Sequence, residues 1–356
     1  MKAQRPGSPV RFAVNVEIEI FLPPWRASAL AFFCILESVE GTNPGSVDAG
    51  RPIFILGVCP RSGTNFLADV VTVHPRCRAV EWAVEDFLLH EADKLAAYVD
   101  GVYQWWGPNF DVDPKYRGAM LTALGDALVE FLASIEPPWG SSACDDAPPR
   151  RLVTKTPEVV NLDLFFDVFS NAQLLVIVRD PRAVVASGVK GLGWRYEVGM
   201  RLWAAGAATI LRCTRSDDWV GRSFLLVRYE DLVTDFQREA TRILGFLGLP
   251  HAEFDFDAAA DLPVRGSAFD RGGHREVHWA PIDRPDGFDP LSRGSDWPEA
   301  RVRRLEWLCG DLARDLGYDL SPVAGAPSRV IQRARDAAWA TARPPARLLR
   351  RLRRPR

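Results

Sequence analysis

Apolar positions in this chain of 356 residues follow two alternating periods. Ile53–Val58 and Leu174–Val178 are nearly continuous apolar runs, the pattern of strands covered on both faces, and Leu152–Thr154 and Phe224–Arg228 are shorter runs of the same kind. Between them lie stretches with helical spacing: one reaching Val73, one over Glu158–Phe169, and one carrying Leu232, Phe236, Ala240, Ile243, Leu244 and Leu247 that Gly248 and Pro250 stop. A last helix carries Val302, Leu305, Leu308, Leu312 and Leu316, with Ser295 as its cap, Pro298 in its first turn and Gly317 at its end. This alternation predicts an α/β fold with a central parallel sheet flanked by helices. Upstream, Val14, Val16, Ile18 and Ile20 alternate with polar neighbours as in a half-buried strand, and the Gly- and Ser-rich stretch 41–50 reads as a linker. The chain therefore divides into an N-terminal extension (1–50), a main domain (51–320) and a C-terminal tail (321–356). Residues 101–118, with Tyr103, Trp105, Trp106, Phe110 and Tyr116 among Gly and Pro, read as a loop-rich insertion.

Composition narrows the class. With 47% apolar and 25% charged residues the chain is expected to be globular and neither disordered nor fibrous. Its longest apolar run, Ala29 to Leu36, is far short of the ~20 residues of a spanning helix. Glu17 and Glu19 argue against a signal peptide. The six Cys are scattered without a CxxC pair, which predicts reduced thiols in a cytoplasmic protein and neither a disulfide scaffold nor a metal site.

The net charge of −2 hides an asymmetry, because residues 325–356 hold ten Arg and a single Asp. Such a stretch, mixed with Leu and Trp339, reads either as a solvated tail or as a peripheral contact with anionic lipid at the inner membrane face. Nucleic acid is not expected, since the body is acidic and shows no base-reading motif. Only five of the 44 basic residues are Lys, so a Lys at a chemically useful position stands out.

The first strand runs into Pro60-Arg61-Ser62-Gly63-Thr64-Asn65-Phe66-Leu67, a tight turn before a helix start. Unpaired amides and the helix dipole attract phosphate there, Gly63 allows close approach, and Arg61, Ser62, Thr64 and Asn65 add donors. The GxxxxGK[ST] pattern is not met, because five residues separate Gly57 from Gly63 and Thr64 stands where Lys would, which disfavours an ordinary ATP or GTP site. After the second long run comes Arg179-Asp180-Pro181, with Ser187 two turns along the following helix. Arg179 and Ser187 could clamp one more phosphate at the carboxyl edge of the sheet; an Arg179–Asp180 ion pair with a surface Ser is the plainer reading.

Together, PRSGTNFL at 60–67, RDPRAVVAS at 179–187, VRYEDLV at 227–233 and FLGLP at 246–250 resemble the sulfotransferases that use 3′-phosphoadenosine 5′-phosphosulfate (PAPS), closest to the bacterial and tyrosylprotein-like branch. The resemblance covers about residues 51–320 and implies a P-loop NTPase-like three-layer fold. It implies that the 60–67 loop holds the 5′-phosphosulfate, that Arg179 and Ser187 hold the 3′-phosphate and that Tyr229 lies near the adenine or ribose. It also places a lysine at Lys155, where a compact ammonium suits the bridging oxygen of the leaving group. The small-molecule branch follows this lysine with Thr-His and uses the His as base, but position 157 is Pro, so a carboxylate must serve. Glu81 is the expected general base, with Glu85 and Asp86 as further candidates. Arg293 is a weaker expected contact to the nucleotide, and His74 reads as a turn residue. The acceptor is a hydroxyl of a glycan, lipid, small molecule or tyrosine. Two rival readings are an ATP-dependent kinase of related fold and a non-catalytic, membrane-associated nucleotide-binding protein.

Overall fold

The computed structural model describes residues 50–80, 85–135, 150–271, 274–278, 281–284, 288–320 and 328–341. The expected strand at 14–20, most of the linker, Glu81 and the last Arg cluster lie outside the described residues.

In chain order the elements are β1 (Ile53–Gly57), α1 (Thr64–Thr72), β2 (Cys77–Ala79), α2 (Ala92–Phe110), α3 (Lys115–Ser134), β3 (Arg151–Thr156), the one-turn α4 (Phe165–Val168), β4 (Gln173–Val178), α5 (Pro181–Leu192) and α6 (Tyr196–Thr214). There follow β5 (Phe224–Arg228), α7 (Tyr229–Thr234), α8 (Phe236–Leu247), the short α9 (Phe256–Ala260), an antiparallel pair β6 (Ser267–Arg271) and β7 (His274–His278), α10 (Glu299–Asp315) and α11 (Ser328–Thr341). The first five strands form one all-parallel sheet in the order β2-β3-β1-β4-β5. Alternate residues of β1 serve opposite layers. Phe54 and Leu56 pack with Phe165, Phe169, Trp203 and Ala207, while Ile53 and Ile55 pack with Leu67, Val71, Ile243 and Leu247. Each of these side chains is essentially removed from water, and each Val, Leu, Ile or Phe among them contributes about 1.5–3 kcal/mol. Two helical layers therefore sandwich the sheet, as the apolar runs predict, and the carboxyl ends of β1, β3, β4 and β5 open onto one edge.

Four local expectations differ from the structure. Residues 101–118 are not loop-rich: they form the second half of α2, a short connection and the first turn of α3, and Pro108 is tolerated because it falls in the last turn of α2, which Asp111 closes at φ 51° by donating to the Gly107 carbonyl. The helix expected over 158–169 shrinks to α4 and a preceding 3-10 turn, since Asn161 sits at φ 60° and its side chain donates to the carbonyls of Leu89 and His90. Ser295 does not cap α10, which starts only after the extended Pro298. A solvated tail is not found over 328–341, which is the helix α11.

Candidate active site

The turn after β1 is wound by its own side chains. Ser62, 1% exposed, donates its hydroxyl to the Cys59 carbonyl at 2.5 Å and accepts from the Cys59 amide at 3.3 Å. Its hydroxyl is thus spent inside the loop, and contrary to expectation only its backbone is free to face a ligand. Arg61 holds φ 82°, a strained value for a residue with a Cβ, and Gly63 holds φ 105°. Gly63 is also a steric necessity, since a Cβ there would lie 2.4 Å from the Tyr229 ring. It precedes α1 without any side-chain cap, so the first amides of that helix have no partner in the helix or at its cap.

Two guanidinium groups meet at Ser187, and a third stands beside them. Arg61 Nε donates to its hydroxyl oxygen at 3.0 Å and Arg293 Nη1 at 3.1 Å. Arg179, 4% exposed, donates to the carbonyls of Pro290 at 2.6 Å and Arg61 at 3.3 Å, while its Nε finds no partner among the described residues. Asp180 does not neutralise it, because that carboxylate pairs with Arg182 instead. Burial, then the charges of Arg293 and Arg179, push the Arg61 pKa down to about 10. Arg293 is lowered for the same reasons, burial first and Arg179 next. Carbonyls accept from Arg179 and the Ser187 hydroxyl accepts from Arg61 and Arg293, while Asp289 supplies an opposite charge near Arg293. Tyr229 lies beside them, with the Arg179 guanidinium 4.0 Å from its ring centroid and the Phe66 ring edge-on at 6.0 Å.

The third group surrounds Lys155 near the end of β3. Its side chain is only 6% exposed, its Nζ makes no hydrogen bond among the described residues, and Glu85 Oε1 lies 3.6 Å away. Burial lowers the Lys155 pKa, with Arg265 adding to the effect and Glu85 and Asp69 opposing it. Strand geometry explains the selection. Residues 154 and 156 point to one side of β3 and 155 to the other. Asp86 stands on the threonine side, where it accepts from Thr154 Oγ1 at 2.6 Å, Thr156 Oγ1 at 3.0 Å and the Leu88 amide at 2.8 Å. Its own amide donates to the Lys155 carbonyl at 3.1 Å. Glu85 and Phe87, on either side of Asp86, both line the cavity. Asp86 is therefore an anchor for this segment and does not present a base. Glu81 lies outside the described residues.

A strap closes over the loop from the far end of the domain. Arg265 makes a two-pronged ion pair with Asp69 on α1, its Nε 2.7 Å from Oδ2. Gly266, at φ 68°, passes so close that a Cβ would come within 2.3 Å of Asn65 Nδ2. Asp69 carries a pKa raised by burial, against the pull of Arg265 and Lys155. The resemblance places a loop that closes over the nucleotide at 265–297, which begins with Arg265, but the pairing with Asp69, 196 residues away, has no sign in the sequence. His74, as expected of a turn residue, is fully buried and satisfied by the Pro250 carbonyl and the Arg76 amide.

Members of all three groups line one cavity of about 550 Å³, Glu85 and not Lys155 representing the third, together with apolar Phe66, Phe87, Leu192, Leu232, Phe236 and Phe288. Among the described residues no group of His, Cys, Asp and Glu could hold a metal ion, and no helix is long and apolar enough to cross a membrane.

A family model described as the sulfotransferase family matches residues 52–253, more than half of the chain. Solved structures similar to the chain include the sulfotransferase domain of a Synechococcus olefin synthase, 22% identical over 79% of this chain and 99% of that one, with a TM-score of 0.44. The sulfotransferase domain of the curacin biosynthetic pathway is 20% identical over 76% and 99%, with a TM-score of 0.45. A mouse sulfotransferase complexed with PAP is 14% identical over 84% and 93%, with a TM-score of 0.40. No curated protein sequence matches. On the family match, the chain belongs to the sulfotransferase family.

Proposed function

We propose that this sulfotransferase takes its sulfuryl group from PAPS and passes it to a hydroxyl acceptor. The observation that carries the reading is the cluster of Arg61, Arg179 and Arg293 beside Ser187, a partly buried group of cations suited to a dianionic phosphate, next to a second anion cradle formed by the amides that open α1. Arg179, Arg293 and Ser187 would hold the 3′-phosphate. The backbone of Ser62 to Asn65 would hold the 5′-phosphosulfate, and Tyr229 with Phe66 would flank the base. When bound, PAPS supplies an activated sulfuryl group on a phosphate that can leave.

The remaining chemistry belongs to the chain. Lys155, buried with an ammonium that no hydrogen bond claims among the described residues, is suited to meet negative charge growing on the leaving phosphate oxygen. Glu85 keeps that ammonium protonated and aimed. The proton of the acceptor hydroxyl passes to a carboxylate of the same segment, and Glu81 holds that role in this reading because Glu85 is paired with Lys155 and Asp86 is spent on the threonines. The aliphatic and aromatic lining near Glu85, from Phe87 and Leu192, would exclude water from the transfer.

The test is calorimetry with the product nucleotide, 3′,5′-adenosine bisphosphate, on the wild type and Arg179→Ala. Tight binding that the variant loses by roughly 100-fold or more supports the reading, since hydrogen bonds to a charged group contribute about 1.5–3 kcal/mol each. Indifference of the wild type to this nucleotide would overturn it. Glu81→Gln and Glu85→Gln, measured in single turnover with nucleotide affinity in parallel, decide the base: Glu81→Gln is expected to lose the rate and keep the affinity.

A further inference from the structure

Helix α11 docks on the domain the wrong way round for an amphipathic helix. Its inward stripe is Gln332, Asp336 and Trp339. Gln332, 4% exposed, accepts from Arg304 Nη1 at 3.0 Å. Asp336 accepts from Arg304 at 2.7 Å, from Arg201 at 2.5 Å and from the Trp307 indole at 2.7 Å. Arg304 is itself buried at 1% exposure and also pairs with Glu197, and Trp339 lies under the Arg201 guanidinium at 5.2 Å. The outward stripe carries Val330, 78% exposed, and Ile331, 55% exposed, followed by exposed Ala334, Ala337 and Ala338. A helix held only by burial would turn its Val and Ile inward and its Asp to water. Here a polar latch turns the apolar side out.

The charge on that outer face selects its partner. Arg329, Arg333 and Arg335 flank the apolar stripe, all exposed and with no ion pair among the described residues. Asp336, the only acidic residue in 325–356, is the one drawn into the latch. The sequence beyond the helix continues in the same chemistry, with seven more Arg and three Leu after Thr341. Cationic side chains around a shallow apolar stripe match the surface of an anionic bilayer, where headgroups meet the arginines and the acyl boundary takes Val330 and Ile331. A nucleic acid would use the arginines but leave Val330 and Ile331 without a role.

We propose that the outer face of α11 is a docking surface for an anionic lipid bilayer, with the Arg304–Asp336 latch presenting it. The experiment is sedimentation of the full chain with vesicles of phosphatidylcholine alone or with 30% phosphatidylglycerol, at physiological salt, beside the double variant Val330→Gln, Ile331→Gln. Both substitutions lie on exposed positions of a helix, so circular dichroism and binding of the product nucleotide should match the wild type. The expected result is binding to the phosphatidylglycerol vesicles at least ~10-fold above phosphatidylcholine, reduced about 5-fold or more in the double variant. Failure of the wild type to bind anionic vesicles overturns the proposal. Equal binding by the double variant overturns it as well, since charge alone would then account for the contact. So does a duplex oligonucleotide that competes the protein off the vesicles without sensitivity to the double variant.

Discussion

Lys155→Met probes both the chemistry of the site and its stability. The ammonium lies 3.6 Å from Glu85, and the two side chains are 6% and 20% exposed. At an effective dielectric of ~20 their attraction is about 5 kcal/mol. Removing an ammonium from water costs several kcal/mol, and here no hydrogen bond among the described residues offsets that. The two terms offset each other in part, and Met keeps the length and apolar contacts of the stem, but Glu85 is left without its partner. Denaturant unfolding should therefore lose about 3 kcal/mol, the low end for a broken pair because Glu85 keeps some contact with water. The rate should fall as well, because loss of a preorganised group that meets developing charge costs about 10²–10³ in turnover. Affinity for the product nucleotide should stay within about threefold, as Arg61, Arg179 and Arg293 remain. The pH dependence gives a second signature. The folded-state pKa of Lys155 lies below its ordinary value of 10.5, so the folded chain binds fewer protons than the unfolded one between those two values. Across that window stability should rise with pH while the wild-type rate falls, and both trends should vanish in Lys155→Met. Single-turnover rates within threefold of wild type, or a large loss of stability with the rate intact, would exclude Lys155 from the transfer step.

The anchoring role of Asp86 predicts that Asp86→Ala, which strands the hydroxyls of Thr154 and Thr156 and the Leu88 amide, costs about 2–4 kcal/mol in denaturant unfolding and lowers turnover, whereas Asp86→Asn recovers most of both. If Asp86 were the base, Asn would be as inactive as Ala. Gly63→Ala should lower stability by roughly 2 kcal/mol, from a φ of 105° and a Cβ forced to 2.4 Å from Tyr229, and should weaken nucleotide binding more than it slows the bound complex. Titration calorimetry beside single-turnover rates checks that split.

The strands and the cation cluster were legible for different reasons. β1 and β4 are covered on both faces, so burial alone writes their sequence as apolar runs, and Arg61, Arg179 and Ser187 fall at fixed offsets from the ends of those runs. The α2–α3 hairpin was not legible, because its aromatic residues sit half in water and its Pro falls where the helix was ending anyway: Trp105 and Phe110 are 71% and 72% exposed. Local pattern also gave no access to pairings across the chain. Asp69 and Arg265 are an acid on an amphipathic helix and one Arg among many until the fold brings them together. The inverted packing of α11 was hidden in the same way, since its stripe of Gln332, Asp336 and Trp339 gains meaning only opposite Arg304.

What the fold adds to the motifs is a means of holding like charges close without a ligand. The guanidiniums of Arg61, Arg179 and Arg293 repel one another in a partly buried space, with the charge of Asp289 opposing that repulsion at Arg293. Neutral groups orient the guanidiniums. The carbonyls of Pro290 and Arg61 accept from Arg179, the Ser187 hydroxyl accepts from the other two, and the Arg179 carbonyl accepts from the Trp203 indole in the core at 2.9 Å. Neutral acceptors orient a cation without neutralising it. A salt-bridged cluster would be more stable by itself and would have to break those pairs to receive an anion. Two acidic groups of the cavity follow the complementary rule: Asp69 is matched to Arg265, and Glu85 to Lys155. The carboxyl edge of the sheet thus gathers its positive charge where the loop after β1 meets the start of α5, and in the proposed reaction that separation would let one end of the cavity take the polyanion while the other takes the proton.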